Sequence, residues 1–127
     1  MCGFIGYFLD KPNLKFGSSL KKISHRGPDG IGTYISKNKK LELGHTRLAI
    51  IDPSENGNQP IIDKTTGCVM VYNGEIYNYQ ELRKELIAQD VKFSGYSDTE
   101  VLFHLLQLEG IEILSKLRGI FAFAFYT

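Results

Sequence analysis

Tryptophan is absent from this 127-residue chain, cysteine occurs twice and proline four times, and fifteen Lys and Arg against fourteen Asp and Glu leave a formal net charge of only +1. Each scarcity excludes something. Two cysteines in unlike settings, Cys2 beside the terminus and Cys68 in the apolar run Cys68-Val69-Met70-Val71-Tyr72, do not make a disulfide framework. Cys68 reads as a small core hydrophobe. The basic residues are spread along the chain, so it carries no electrostatic footprint for nucleic acid, and Lys39-Lys40 reads as part of a solvated turn. No run approaches the roughly 18 apolar residues of a membrane span. The chain opens directly at Met1-Cys2-Gly3, without the basic region and apolar run of a signal peptide, so the expected setting is cytoplasmic with no membrane partner. His25, His45 and His104 lack metal-ligand spacing, and no glycine-rich phosphate loop is present. Neither a metal nor a cofactor is expected in this chain.

With 43% apolar and 23% charged residues, the composition is that of a folded domain rather than a disordered segment, and the length suits one domain. Gly3 to Leu9 is a short apolar segment bounded by Asp10-Lys11-Pro12, which predicts a buried strand beginning beside Cys2. Leu14 to Ile23 predicts a short helix, ended by the loop Ser24-His25-Arg26-Gly27-Pro28-Asp29-Gly30. Strands are predicted at Ile31 to Ile35, Leu41 to Gly44 and Arg47 to Ile51, followed by the turn-rich stretch Asp52 to Pro60. Cys68 to Tyr72 predicts another, ending at Asn73-Gly74. A polar pair at the end of a buried strand suits a site.

Asn78 with Glu81 resembles a capping box for a helix from about Tyr79 to Gln89, in which Leu82 and Leu86 share a face. Ser97-Asp98-Thr99-Glu100 is a full capping-box pattern opening a helix that stops at Gly110, and a shorter helix is predicted from Ile111 to Leu117. Gly119 to Tyr126 predicts a long apolar strand. A strand apolar on both faces needs neighbours, so a domain truncated on the C-terminal side is expected, and the isolated chain is expected to self-associate.

Removal of Met1 would leave Cys2 with a thiol and a free α-amine. The amine titrates near pH 8 and the thiol near 8.5, so nucleophile and base can share one residue. By itself Met-Cys is weak evidence. It gains weight from motifs that follow in order: His25-Arg26-Gly27-Pro28-Asp29-Gly30, His45-Thr46-Arg47-Leu48, Tyr72-Asn73-Gly74-Glu75-Ile76-Tyr77-Asn78, Ser97-Asp98-Thr99-Glu100 and Gly119-Ile120-Phe121-Ala122-Phe123-Ala124. Together with Met1-Cys2-Gly3 they closely resemble the glutaminase domain of asparagine synthetases, a class II glutamine amidotransferase, over essentially the whole chain.

The resemblance implies an α+β fold, the N-terminal-nucleophile hydrolase four-layer αββα sandwich, with residues 1–127 forming a partial domain and the synthetase domain lying outside it. It implies L-glutamine as substrate and Cys2 as nucleophile. Arg47 would bind the α-carboxylate, for which a guanidinium fork is suited, although an arginine at that place in a sequence is more often simply exposed. Asp98, with Glu75, would meet the α-ammonium, and an acid in the first turn also favours its helix. The Asn73 side chain and the Gly74 N–H would form an oxyanion hole, against the alternative of an Asn-Gly hairpin turn. Ile50 and Ile51 would line the pocket through backbone groups, though core packing explains them equally. Ammonia would pass to a synthetase domain or partner chain that adenylates aspartate, where ATP and Mg would be needed. Two rivals remain at this stage: a non-catalytic glutamine-binding or scaffold module, and an amidotransferase acting on a sugar or another carboxylate. A homo-oligomer is compatible with either.

Overall fold

Each predicted strand must place its polar backbone groups against neighbours, and the computed structural model, which describes residues 2–10, 15–50 and 54–127, shows two three-stranded sheets doing so. The first is made of β1 (Gly3–Phe8), β2 (Gly30–Ile35) and β3 (Leu41–Arg47), with β3 central and antiparallel to both neighbours. The second contains β4 (Ile61–Ile62), β5 (Val69–Ile76) and β6 (Gly119–Tyr126), with β5 central.

Side-chain alternation separates the faces. Leu41 and Leu43 of β3 pack between the sheets with Val69 and Val71 of β5, joined by Phe4, Tyr34, Ala124 and Tyr126. Met70, Tyr72 and Ile76 of β5 point the other way, into a larger core with Leu82, Leu86, Val101, Leu102, Leu105 and Ile113. Those residues come from α2 (Tyr79–Ala88), α3 (Asp98–Glu109) and the following 3₁₀ turn, Gly110–Lys116. On the outer side of the first sheet lies α1 (Phe16–Lys22), whose buried Phe16 meets Tyr7 of β1 edge-on with ring centroids 5.9 Å apart. The layers therefore run helix, sheet, sheet, helices, and the α+β sandwich expected from the sequence is present.

Several boundaries differ from the expectation. The strand predicted at Leu41 to Gly44 runs on to Arg47, because the polar pair His45-Thr46 finds hydrogen-bond acceptors inside it, whereas the strand predicted at Arg47 to Ile51 does not form: Arg47 closes β3 and residues 48–50 lie in no strand. His45 Nε2 lies 3.1 Å from the Tyr72 carbonyl, and the Thr46 hydroxyl is 3.3 Å from both the Gly3 and Ile23 carbonyls. Leu14 and Ile51, at the predicted ends of a helix and a strand, lie outside the described residues. The strand predicted to end at Tyr72 continues to Ile76, since β6 pairs with it along the whole way. Asn78 makes no cap for α2. Its side chain instead donates to the Lys116 carbonyl and accepts from the Arg118 N–H, tying the start of α2 to the approach to β6. Ser97 does cap α3, accepting from the Glu100 N–H, but the Glu100 carboxylate accepts from Ser94 and Gly95 rather than closing the box. Residues 110–116 are 3₁₀ instead of α-helical, and β4 was not predicted.

Candidate active site

The first residue of β1 pairs with Thr46 near the end of β3, and this register carries Cys2 to the C-terminal end of the central strand. Three contacts fix it there. The Leu48 N–H donates to Cys2 Sγ at 3.2 Å, the thiol lies 3.5 Å from the Leu48 carbonyl, and Arg26 Nε donates to the Cys2 carbonyl at 3.1 Å. Arg26 reaches that far because its loop presses against β3: a Cβ on Gly27 would stand 2.2 Å from the Thr46 carbonyl carbon, so only glycine fits. Asp29 completes the brace. Its N–H donates to the Arg47 carbonyl and its carboxylate accepts from the Ala49 N–H, which orders the chain leaving β3.

Arg47 is the last residue of β3 and is 91% buried, so the reading of an exposed arginine fails. Its Nη1 donates to the Asn58 side chain at 2.8 Å. Facing it across an open cleft of about 170 Å³ is the end of β5 with the N-terminus of α3. Cys2, Arg47, Ile50, Asn73, Gly74, Glu75 and Asp98, seven of the eight residues singled out from the sequence, line this one cleft. The eighth, Ile51, lies outside the described residues. Ile50 is 74% exposed, which removes core packing as its explanation.

Asn73-Gly74 is neither a hairpin turn nor the end of a strand. Both residues lie inside β5, paired with Ala122 and Phe121 of β6. Gly74 has φ +157°, and a Cβ there would meet the Ile120 carbonyl oxygen at 2.4 Å, so glycine lets the two strands close beside the cleft. β4 begins at Ile61, opposite Met70, so beyond Met70 the other edge of β5 has no strand beside it among the described residues. Side chains take over its backbone groups. The Tyr72 N–H donates to Gln59 Oε1 at 2.6 Å, the Tyr72 carbonyl faces His45 Nε2, and the Ile76 N–H donates to Asp98 Oδ2 at 3.0 Å.

Asp98 is 96% buried in the first turn of α3, where the helix dipole favours its negative charge. Besides the Ile76 N–H it accepts a 2.7 Å bond from the Tyr72 hydroxyl. Burial raises the Tyr72 phenol far above its ordinary value, and the Asp98 charge adds to this, so the hydroxyl stays a neutral donor. Burial likewise lowers His45 to about 4. The Tyr72 carbonyl opposes this shift, and Arg47 reinforces it. Because a carbonyl only accepts, His45 holds its proton on Nε2, and its buried Nδ1 has no hydrogen-bond partner. Gln59, His45 and Tyr72 were not among the predicted site residues. Tyr72 adjoins Asn73 in sequence, but nothing in the sequence links Gln59 or His45 to β5.

Among the described residues, the cleft thus joins a thiol, one cation and two carboxylates to a strand edge built from Asn-Gly. The sequence profile of the family described as "Glutamine amidotransferase domain" matches residues 1–127. Asparagine synthetase [glutamine-hydrolyzing] 1 of Bacillus subtilis is 41% identical over 134 residues, covering 100% of this chain and 21% of that protein. Amidase chry2 of Gibberella zeae is 45% identical over 109 residues, covering 86% of this chain and 16% of the amidase. The chain therefore spans about a fifth or less of the length of these curated relatives. Among solved structures, the glutamine phosphoribosylpyrophosphate amidotransferase of B. subtilis superposes with a TM-score of 0.79 at 24% identity, covering 100% of this chain and 35% of that one. This likeness establishes the fold, that of the N-terminal-nucleophile hydrolases. The thiol-bearing cleft, the sandwich around it and a family match along the entire sequence agree that the chain belongs to the glutamine amidotransferase domain family.

Proposed function

We propose that this chain hydrolyses the side-chain amide of glutamine through a thioester on Cys2 and delivers the ammonia to an acceptor bound outside it. The observation that carries the reading is the convergence on one cleft of the Cys2 thiol, the Asn73-Gly74 segment and charges of both signs. With Met1 removed, the α-amine of Cys2 takes the thiol proton and the sulfur attacks the amide carbon. A C–S bond forms and the carbonyl oxygen becomes an oxyanion. The Leu48 N–H donates to Sγ at 3.2 Å and holds the sulfur in place for attack. Collapse of the tetrahedral species breaks the C–N bond, the amine's proton leaves with ammonia, and water then hydrolyses the thioester to glutamate and the free thiol.

The oxyanion role of Asn73 and Gly74 is supported by strand alternation. The N–H groups of Tyr72 and Ile76 point away from β6, whereas the Tyr77 N–H donates to Arg118 on the β6 side. Gly74 shares the parity of Tyr72 and Ile76, so its N–H belongs to the same uncovered edge, in the cleft that Cys2 also lines. Arg47 would pair with the α-carboxylate, and Asp98 with Glu75 would take the α-ammonium. Ile50 and Ile51 would offer backbone groups at the rim. The acceptor we propose is aspartate, activated with ATP and Mg on a synthetase domain or partner chain, by analogy with the asparagine synthetases among the relatives.

The test is ammonia release from glutamine by the full-length protein with Met1 removed, beside its Cys2→Ala variant, and alkylation by a diazo-ketone analogue of glutamine. Cys2→Ala should abolish hydrolysis with the fold unchanged, and the label should sit on Cys2. Hydrolysis by Cys2→Ala, or labelling of Cys68, would end the proposal.

A further inference from the structure

Asp98 is buried, and two donors fix its carboxylate through the same oxygen: the Tyr72 hydroxyl at 2.7 Å and the Ile76 N–H at 3.0 Å, both on Oδ2. A carboxylate held at one oxygen by two converging donors cannot rotate freely, and Oδ1 is left as the acceptor for the cleft. The phenol is itself immobile. Tyr72 is 97% buried, its N–H is bonded to Gln59, and its carbonyl is bonded to His45. The next residue along the strand is Asn73, on the wall of the same cleft.

Resting on the reading of Asp98 as the ammonium ligand, we infer that Tyr72 is a positioning residue that makes the site selective for amides carrying a free α-ammonium. Its hydroxyl donates to Asp98 and acts through it. It occupies Oδ2 and so presents Oδ1 to the substrate. Ile76 alone, attached to the strand end, supplies one donor and leaves the carboxylate plane free to turn about that bond. A carboxylate free to turn meets the ammonium in the right orientation less often, so losing the hydroxyl should weaken recognition of the ammonium about tenfold.

The experiment compares the full-length protein with its Tyr72→Phe and Asp98→Asn variants, using glutamine as substrate and 4-carbamoylbutanoate, the analogue lacking the α-amino group, as competitive inhibitor. Phenylalanine fills the same space, so the packing is kept. Tyr72→Phe should raise KM for glutamine about tenfold, hold kcat within about twofold, and leave the inhibition constant of 4-carbamoylbutanoate unchanged. Weaker binding of both compounds to the same extent, or a fall in kcat alone, would mark a merely structural role and overturn the inference. An unaltered glutamine KM in Tyr72→Phe beside a raised one in Asp98→Asn would overturn it too, while leaving Asp98 as the ligand. If Asp98→Asn itself leaves the glutamine KM unchanged, the assignment of Asp98 fails first.

Discussion

His45 predicts a specific acid sensitivity of the fold. It stands between the two sheets with 1% of its surface exposed, gives its Nε2 proton to the Tyr72 carbonyl, and has a bare Nδ1. Protonation of Nδ1 would place a charge in that dry layer near Arg47, and the folded-state pKa is accordingly lowered from 6.5 to about 4. The sign follows from linkage. Above pH 6.5 the imidazole is neutral in folded and unfolded chains, and its contribution is complete. Between 6.5 and about 4 the unfolded chain binds a proton that the folded chain refuses, so stability falls as the pH falls. At about 1.4 kcal/mol per pH unit, the loss amounts to about 3 kcal/mol. Urea unfolding of the wild type and His45→Gln across this range isolates the group, because glutamine keeps an N–H donor and does not titrate. The wild type should lose about 3 kcal/mol relative to the variant between pH 7 and pH 4. A difference constant to about 0.5 kcal/mol would refute the reasoning, since it would mean that the folded chain accepts the proton as readily as the unfolded one.

Asn73→Ala should lower glutaminase turnover by on the order of 10²–10³, the usual effect of removing one oxyanion donor, with little change in KM. Arg47→Ala should act chiefly on KM, and steady-state kinetics separate the two defects. If Asn73→Ala moved only KM, the oxyanion assignment would be wrong. Gly74→Ala should cost on the order of 1–3 kcal/mol in urea unfolding and depress turnover, because the new methyl meets the Ile120 carbonyl at 2.4 Å and forces β5 from β6. Unchanged stability would show that the strands part without cost.

Local pattern carried much of the architecture. The period of Leu82 and Leu86, the Ser97 cap and Gly110 with φ +66° mark helix limits that depend on residues only a few positions apart. Three of the errors share one cause, long-range pairing. Asn73-Gly74-Glu75 has the composition of a turn and is held as strand by residues 120–122 of β6. His45-Thr46 looks like a polar interruption and is accommodated by acceptors at Tyr72, Gly3 and Ile23. Asn78 has the identity of a cap and is drawn instead to Lys116 and Arg118. For the site, the ordered motifs and the family they resemble were enough to name side chains that line the cleft. The residues supporting them, Gln59 and His45, come from other strands and loops and were not legible.

The brevity of β4 explains why the cleft forms where it does. A strand of full length beside β5 would bond the outward N–H groups of Tyr72, Gly74 and Ile76 in one ladder and leave no donor for a substrate. β4 spans only Ile61–Ile62, so those groups fall to side chains: Gln59 takes the first and Asp98 the third. Gln59 lies two residues before β4 and continues its line with an amide oxygen in place of a backbone carbonyl. Asp98 closes the far end from the start of a helix. On the proposed mechanism, the Gly74 N–H between them is the donor kept for the oxyanion. Full pairing of the β6 side keeps that donor in place, since every residue from Val69 to Ile76 has a partner there. Catalytic preorganisation of this kind requires a strand that is rigid on one edge and bare for a few residues on the other, and a two-residue β4 beside an eight-residue β5 provides it.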